Sequence, residues 1–356
     1  MNLENLQKNL SLVKNTKKRI EWIDVAKGIT IITVIFGHGE ISGPLRAMIF
    51  SFHMPLFFIL SIVTYNLSKN NDIFVKKIEK SFKHLILPAF FIYTINYLLY
   101  NGIFYGNNFA TIDIRMGING FVYASGVPVQ VSNSSISAMG IPWFLFVLFF
   151  ARSLFDYLYM KLSEPFFIFS TFVCSFCGLI FSYLQWLPFS FDIVLVIQPL
   201  FIVGLILKKY WNKIRPTILL ISSSCILWIT LVVSIKFFSD TYLEIAQRRY
   251  PLYPLCFVAA IFGTFFVCLI SMYIQKIQYI NKVKNLLQYI GMNSMVLIWV
   301  HCFDPYFSNI YNITSIGNIN SVIRVVVDLI IFYIFELSFT FVKKYIYMNK
   351  FRNNLE

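Results

Sequence analysis

Charged residues are scarce in this sequence. They make up 13% of its 356 residues, whereas about 25% is usual for a soluble domain. Apolar residues reach 58%, and the 39 Phe and 21 Tyr residues are more than one water-soluble core would bury. So little charge cannot cover the surface of a soluble globule of this size. The composition therefore excludes an ordinary soluble protein and predicts a chain whose apolar surface faces lipid.

Acidic residues are especially few, with 16 Asp and Glu against 30 Lys and Arg, and the formal net charge is +14. A basic excess of this size also occurs in nucleic-acid-binding proteins, so the distribution of the charges is decisive. The basic residues do not form one patch, because they lie in the gaps between apolar runs. This pattern is typical of loops beside a bilayer. We therefore predict membrane lipids, and no nucleic acid, as partners.

The sequence also lacks the short motifs that mark metal and cofactor sites. Its six cysteines all fall inside apolar runs, and the C-x-x-C pair of Cys174 and Cys177 has no second pair to complete a zinc site. No H-E-x-x-H, G-x-S-x-G, phosphate-binding glycine loop or dinucleotide fingerprint is present. We predict no disulfide, no metal site and no bound cofactor.

Ten apolar runs follow a polar start of the chain, each near the length of about 20 residues that crosses a bilayer. The first 19 residues contain no early apolar stretch, so we expect no cleavable signal peptide. We predict an all-α, polytopic membrane bundle of about ten transmembrane helices. Its membrane domain would span 20–345, between a basic segment 1–19 and a tail 346–356. The runs are 25–44, 47–67, 84–104, 142–160, 165–185, 189–208, 217–236, 251–274, 286–303 and 322–342.

The orientation follows from the basic residues between these runs. With the N-terminus inside, 22 Lys and Arg residues fall on the cytoplasmic side and 5 on the other side. Cytoplasmic loops of membrane proteins carry such an excess. We predict that both termini are cytoplasmic and that the protein lies in the cell (inner, cytoplasmic) membrane.

The longest polar stretch, 105–141, is rich in Gly, Asn and Ser and falls outside by this topology. Loops of this length are usually functional or disordered. The sequence leaves two interpretations open, a flexible tether and a lid over an outward-facing cavity.

Ionisable residues inside the apolar runs are costly and therefore indicate function. Lys27 and His38 are eleven residues apart in the first run, which places them on one helix face about 16 Å apart along the axis. Asp24 lies on nearly the same face. His53 in the second run and His301 in the ninth share the outer half of the membrane with His38. A single such histidine is often only a packing residue, but three at one depth favour a site.

The other charges within or beside the runs have simpler interpretations. Arg152 with Asp156, and Arg324 with Asp328, have the i,i+4 spacing of ion pairs within one helix. The lysines Lys80 and Lys83 lie just inside the cytoplasmic surface. They are suited either to anionic lipid heads or to a cytoplasmic ligand with several phosphates.

Taken in order, these segments resemble the acyltransferase-3 family of membrane O-acyltransferases, especially the branch that O-acetylates bacterial surface polysaccharides. Lys27 stands where the family's first motif usually has Arg, eleven residues before the first-run histidine. The pair Lys80 and Lys83 is an imperfect match to an Arg-x-x-Arg motif. The stretches that carry the resemblance are 22–28 with His38, 51–58, 85–88, 142–145, 199–204, and 291–294 with His301.

The resemblance implies a reaction and roles for these residues. The donor would be acetyl-CoA or another acyl-CoA, used as a co-substrate, and the acceptor would be a sugar hydroxyl on a cell-surface or lipid-linked glycan. His38 would be the general base, assisted by His53 as the second catalytic residue. The residues expected to bind the substrates are Lys27, Asp24, Lys80, Lys83, Trp143 and His301.

A function from another class stays open at this point. Buried His and acidic residues also serve proton relays, so a transporter or flippase for a glycolipid or small metabolite is the alternative. The sequence leaves the acceptor glycan, the acyl chain and assembly into a homo-oligomer open.

Overall fold

The computed structural model describes residues 19–104, 113–131 and 134–352, with no side-chain detail for 103–104 and 341–352. The regular secondary structure of the described chain is helical apart from one short hairpin and an isolated bridge between Glu244 and Arg249, which confirms the predicted all-α class. The helices are α1 (Glu21–Gly37), α2 (Gly43–Val63), α3 (Asn71–Ser81), α4 (Leu87–Leu99), α5 (Ile114–Tyr123), α6 (Trp143–Lys161), α7 (Glu164–Leu184), α8 (Phe191–Val196), α9 (Gln198–Tyr210), α10 (Ile218–Ser239), α11 (Leu255–Ile274), α12 (Asn281–Met292), α13 (Ser294–His301), α14 (Asp304–Tyr311) and α15 (Gly317–Arg352).

Six helical segments of the described chain are long and apolar enough to cross a membrane, and a bent pair makes a seventh. The six are Gly43–Val63, Asn71–Gly102, Trp143–Lys161, Glu164–Leu184, Ile218–Ser239 and Leu255–Ile274. The bent pair joins Pro188–Val196 to Gln198–Lys213 at an angle of 54°. The predicted polytopic membrane bundle is therefore confirmed.

The three other predicted runs are also helical, but they do not pass this test. The first forms α1, which has 17 residues. The ninth is divided at Asn293 into α12 and α13. The tenth lies within α15, which continues to Arg352, beyond the predicted domain boundary at 345. A total of ten spans, like the domain bounds, stays a prediction.

The centre of the bundle is α2, which packs against α1, α9, α10 and α11. Its apolar side chains from Leu56 to Leu60 are almost completely buried. On its other side α1 packs closely against α12. The two helices meet at glycines, because a Cβ on Gly291 would lie 1.7 Å from the carbonyl oxygen of Asp24. Both residues belong to stretches on which the family resemblance depends.

Part of the polar stretch 105–141 has regular structure. Residues 113–131 and 134–141 contain α5 and an antiparallel hairpin of β1 (Val129–Val131) and β2 (Ser134–Ile136). The stretch is fixed to the bundle by Tyr93 of α4, whose hydroxyl donates to the carbonyl oxygen of Gly117 over 2.8 Å. A backbone hydrogen bond of 2.7 Å from the Met139 N–H to the Ser125 carbonyl oxygen joins the two ends of the hairpin region. The segment from 105 to 112 lies outside the described residues.

The predicted ion pair within α6 does not form. The guanidinium of Arg152 donates to the hydroxyl of Ser81 over 3.0 Å. The carboxylate of Asp156 instead accepts hydrogen bonds from the Tyr65 hydroxyl at 2.8 Å and from the Ser68 backbone at 2.6 Å. Helical spacing brought the two charges near each other, but partners from neighbouring segments offer better geometry to both.

Candidate active site

A cavity of about 640 Å³ opens at the end of the bundle where α1 terminates. Its walls come from α4, the stretch 135–142, the turn between α13 and α14, and Arg324 of α15. Aromatic and amide side chains dominate one wall, and the opposite wall carries His38 and His301. The aromatic and amide residues are Tyr93, Tyr97, Tyr100, Tyr306, Asn96 and Asn101.

The stretch 135–142 forms part of this cavity wall. Ser135, Ser137 and Met139 are among the lining residues. The hydroxyl of Ser137 donates to the Met116 carbonyl oxygen over 3.1 Å, which ties the wall to α5. Of the two interpretations that the sequence left open for 105–141, these contacts support a cover over a cavity.

His38 lies directly after the last residue of α1 and is exposed to the cavity. It also lines a second, smaller pocket of about 290 Å³ together with Arg46 and Arg324. Its ring centroid is 5.3 Å from that of His301. The structure thus brings together two of the three histidines that the sequence placed at one depth.

The third histidine, His53, lies apart from the cavity. Its side chain is buried, with 3% of the residue exposed, and its Nδ1 lies 2.9 Å from the carbonyl oxygen of Ile49. The ring of Phe50 stands between the two histidines, 5.6 Å from His38 and 4.7 Å from His53. His53 is not among the lining residues of the described cavity, so it is placed to support the wall on which His38 rests.

His301 is the last residue of α13, and the turn that follows carries its partner. Its Nδ1 lies 2.7 Å from Oδ2 of Asp304 and 3.4 Å from Oδ2 of Asp328. All three residues are at most 1% exposed. The carboxylates fix the orientation of the ring, so that its Nε2 is the atom left for chemistry. Within the described part of the chain this Nε2 has no hydrogen-bond partner.

Arg324 ties this cluster to the end of α1. Its Nε donates to the carboxylate of Asp304, and a terminal nitrogen donates over 2.6 Å to the carbonyl oxygen of His38. The last carbonyls of a helix lack internal partners and carry partial negative charge. The guanidinium satisfies one of them and holds His38 at a fixed place beside His301. The predicted pair of Arg324 with Asp328 is therefore not formed.

Sequence reasoning missed the roles of Asp304 and Asp328. Asp304 follows His301 by three residues, a spacing that could have indicated contact across a helix end. Asp328 comes from α15, and only the packing of α13 against α15 brings it to the histidine. No local pattern reveals that contact.

The donor atoms of His301, Asp304 and Asp328 lie within 4.8 Å of one another, a distance that would permit a metal ion. The guanidinium of Arg324 already forms an ion pair with the Asp304 carboxylate. A positive charge in contact with the carboxylate opposes a cation at the same place. We therefore assign no metal to the cluster, and the absence of a metal stays a prediction.

The residues predicted to bind the donor lie away from the cavity. Lys27 is half-buried in the first half of α1, and Asp24 beside it accepts hydrogen bonds from Arg19. Lys80 and Lys83 are exposed. They lie in the first half of the helical segment Asn71–Gly102, whose second half, α4, lines the cavity. Lys27 precedes His38 by eleven residues, and Lys80 and Lys83 precede Tyr93, the first cavity residue of their helical segment, by ten or more, so all three lysines lie towards the opposite end of the bundle.

Trp143, the remaining predicted binding residue, begins α6 next to Pro142, which lines the cavity. The indole itself is 6% exposed and packs against Gly126. It supports the stretch that covers the cavity.

Comparison with known proteins gives the family. No curated protein matches the chain. The family model described as an acyltransferase domain matches residues 20–342, which include α1, the cavity and every residue of the histidine cluster. This membrane protein with a cavity built around His38 and His301 belongs to the acyltransferase-3 family.

Proposed function

We propose that this membrane acyltransferase moves an acetyl or other acyl group from cytoplasmic acyl-CoA to a sugar hydroxyl of a cell-surface or lipid-linked glycan. One observation carries the proposal: His38 and His301 face each other across 5.3 Å in the wall of a large cavity. The proposal places the protein in the cytoplasmic membrane with both termini inside, which is supported by the distribution of basic residues.

The donor would be held at the far end of the bundle. Lys27 stands about 16 Å along the helix axis from His38. No hydrogen bond or ion pair engages the Lys27 ammonium in the described chain, so it is free to meet a ligand. The exposed charges of Lys80 and Lys83 suit the phosphates of CoA. An acyl-CoA anchored there would extend its thioester towards the histidines.

The acceptor would enter the cavity itself. Its volume of about 640 Å³ lies within the range of about 300–1,000 Å³ for small-molecule sites. Sugar rings offer apolar faces and many hydroxyls. The tyrosine rings match the faces, while the amides of Asn96 and Asn101 match the hydroxyls.

Catalysis needs a base, because a sugar hydroxyl is a poor nucleophile at neutral pH. A histidine that accepts the hydroxyl proton in the transition state contributes about 10²- to 10⁴-fold to the rate. His38 is suited to this role because it is exposed to the cavity at the point where donor and acceptor would meet.

The experiment uses membrane vesicles that contain the full chain and the host's own glycans, supplied with labelled acetyl-CoA. We expect label in the glycan fraction and release of free CoA thiol. His38→Ala should reduce both by about 10²-fold or more, while leaving insertion and acetyl-CoA binding unchanged. His84→Gln is the matched control, since His84 is exposed and outside the cavity. At saturating donor it should behave as wild type.

Two outcomes would contradict the proposal. Movement of a glycolipid or metabolite across the vesicle membrane without use of acetyl-CoA would support the alternative, a transporter or flippase. Near-normal transfer by correctly inserted His38→Ala protein would mean that another group is the base.

A further inference from the structure

We propose that His301 acts as a protonated hydrogen-bond donor to the acyl carbonyl oxygen, which leaves His38 as the base. The two histidines would thus divide the chemistry between them. This inference rests on the proposed function and assigns a further catalytic residue to the same site, together with Asp304 and Asp328 as positioning residues.

The surroundings of the His301 imidazole decide which of its nitrogens carries a proton. Its Nδ1 is hydrogen-bonded to the Asp304 carboxylate at 2.7 Å and lies 3.4 Å from the carboxylate of Asp328. Carboxylates only accept hydrogen bonds, so Nδ1 must carry a proton. The buried Nε2 has no hydrogen-bond partner in the described part of the chain, although His301 lines the cavity. An Nε2–H group here would be a buried donor beside the cavity whose hydrogen bond a bound ligand could satisfy.

The charges of the cluster also favour a proton on His301. Asp304 and Asp328 contribute two negative charges, and Arg324, which is paired with Asp304, contributes one positive charge. Both oxygens of Asp328 are buried without a hydrogen-bond partner in the described chain, and its ion-pair contact there is with His301. A buried and unbalanced charge is costly. A proton on His301 makes the cluster of four side chains neutral.

The neighbouring ring of His38 favours the same assignment. His38 lies 5.3 Å from His301, centroid to centroid, and two imidazolium charges so close would repel each other. No carboxylate contacts the His38 side chain in the described structure, whereas the Arg324 guanidinium is bonded to its carbonyl oxygen. The proton therefore belongs on His301. His38 stays neutral and able to accept a proton.

With these assignments each step balances. The acceptor hydroxyl gives its proton to His38 while its oxygen forms a bond to the thioester carbonyl carbon. The negative charge that develops on the carbonyl oxygen accepts a hydrogen bond from Nε2–H of His301. The C–S bond then breaks, the ester remains on the sugar, and the departing thiolate takes the proton from His38.

The test compares two substitutions at His301 in the same vesicles, with acetyl-CoA as the probe. Loss of one such donor usually lowers kcat about 10²- to 10³-fold. We expect this loss in His301→Ala, with the KM for acetyl-CoA unchanged. His301→Gln should recover about tenfold or more of the rate, because an amide can donate a hydrogen bond but cannot act as a base.

The carboxylates are tested through their dependence on His301. Asp328→Asn should lower kcat about tenfold or more when His301 is present. In the His301→Gln background the same change should cost less than about threefold, because an amide needs no carboxylate to keep its proton. Asp192→Asn is the matched control. It removes a buried carboxylate that is paired with Arg248 outside the cavity, so its cost should be the same in both backgrounds.

The outcomes separate this inference from the function on which it rests. Wild-type vesicles that release no thiol would refute the proposed function. If wild type is active but His301→Gln is as inactive as His301→Ala, then His301 is not a donor and the division of roles is wrong. Equal effects of Asp328→Asn in both backgrounds would show that Asp328 acts on the fold alone.

Discussion

Alanine at Gly291 should force apart the two helices that lead to the site. A Cβ there would lie 1.7 Å from the carbonyl oxygen of Asp24 and 2.8 Å from the backbone nitrogen of Gly28. A carbon–oxygen contact needs about 3.3 Å, so α1 and α12 would have to separate by about 1.5 Å. Backbone atoms cannot rotate away as a flexible side chain would.

The magnitude follows from two opposing effects. Alanine favours a helix over glycine by about 1 kcal/mol, but overpacking of a core costs about 1–3 kcal/mol even where side chains can adjust. Because the obstacle is backbone, we expect the cost to exceed the gain. At the upper end of this range the net cost is about 2 kcal/mol, so the melting temperature in detergent should fall by about 4–8 °C. Transfer activity should fall with it, since Lys27 adjoins the contact.

The control for this change is Gly43→Ala at the start of α2. A Cβ on Gly43 meets no atom within 4 Å. This variant should melt within about 2 °C of wild type. An unchanged melting temperature and normal turnover in Gly291→Ala would refute the close helix crossing.

Three further predictions concern the charges. Lys27→Ala should raise the KM for acetyl-CoA about tenfold or more, with little change in the KM for the acceptor, whereas Lys27→Arg should retain part of the function because the charge is kept. Steady-state kinetics in vesicles would measure both variants. An unchanged KM for acetyl-CoA in Lys27→Ala would exclude Lys27 as a donor-binding residue. Arg324→Ala removes one positive charge from beside two buried carboxylates and should destabilise the protein by about 3–5 kcal/mol, as measured by thermal unfolding. Arg324→Lys should recover part of this stability. It should not recover the hydrogen bond to the His38 carbonyl, because an ammonium lacks the several spread-out N–H groups of a guanidinium. In a chain without native cysteines, single cysteines at Asn71, Asn212 and Asn281 should react only from the cytoplasmic side and one at Asp240 only from the other side; labelling of Asn212 from outside would overturn the topology.

The long apolar helices were predictable from the sequence because lipid imposes a strong constraint. Every backbone polar group must be satisfied inside the segment, so long apolar runs become helices whatever their neighbours are. The same constraint made ionisable residues conspicuous, which is why His38 and His301 could be placed in one site before their contact was known.

The remainder of the site depends on tertiary contacts that leave no local trace. Arg324 and Asp328 have the spacing of a pair within α15, yet Arg324 binds Asp304 and Asp328 faces His301. Buried charges are most stable with the partners that neutralise the whole cluster, and here those partners lie on other helices. The hairpin at 129–136 was missed for another reason, since six paired residues are too few to produce a recognisable alternation.

The position of the site also explains why three helices end there. α1 stops before His38, α13 stops at His301, and α14 starts at Asp304. Helix ends expose unpaired backbone groups, which a membrane protein tolerates at depth only where they line a cavity or meet a partner. Two of these three ends have a suitable side-chain partner: a guanidinium meets the carbonyl of His38 at the end of α1, and a carboxylate lies at the first turn of α14. Both match the partial charge of the helix end. The interruptions that make α1 and α13 poor spanning helices therefore border the cavity in which the proposed reaction would bring its two substrates together.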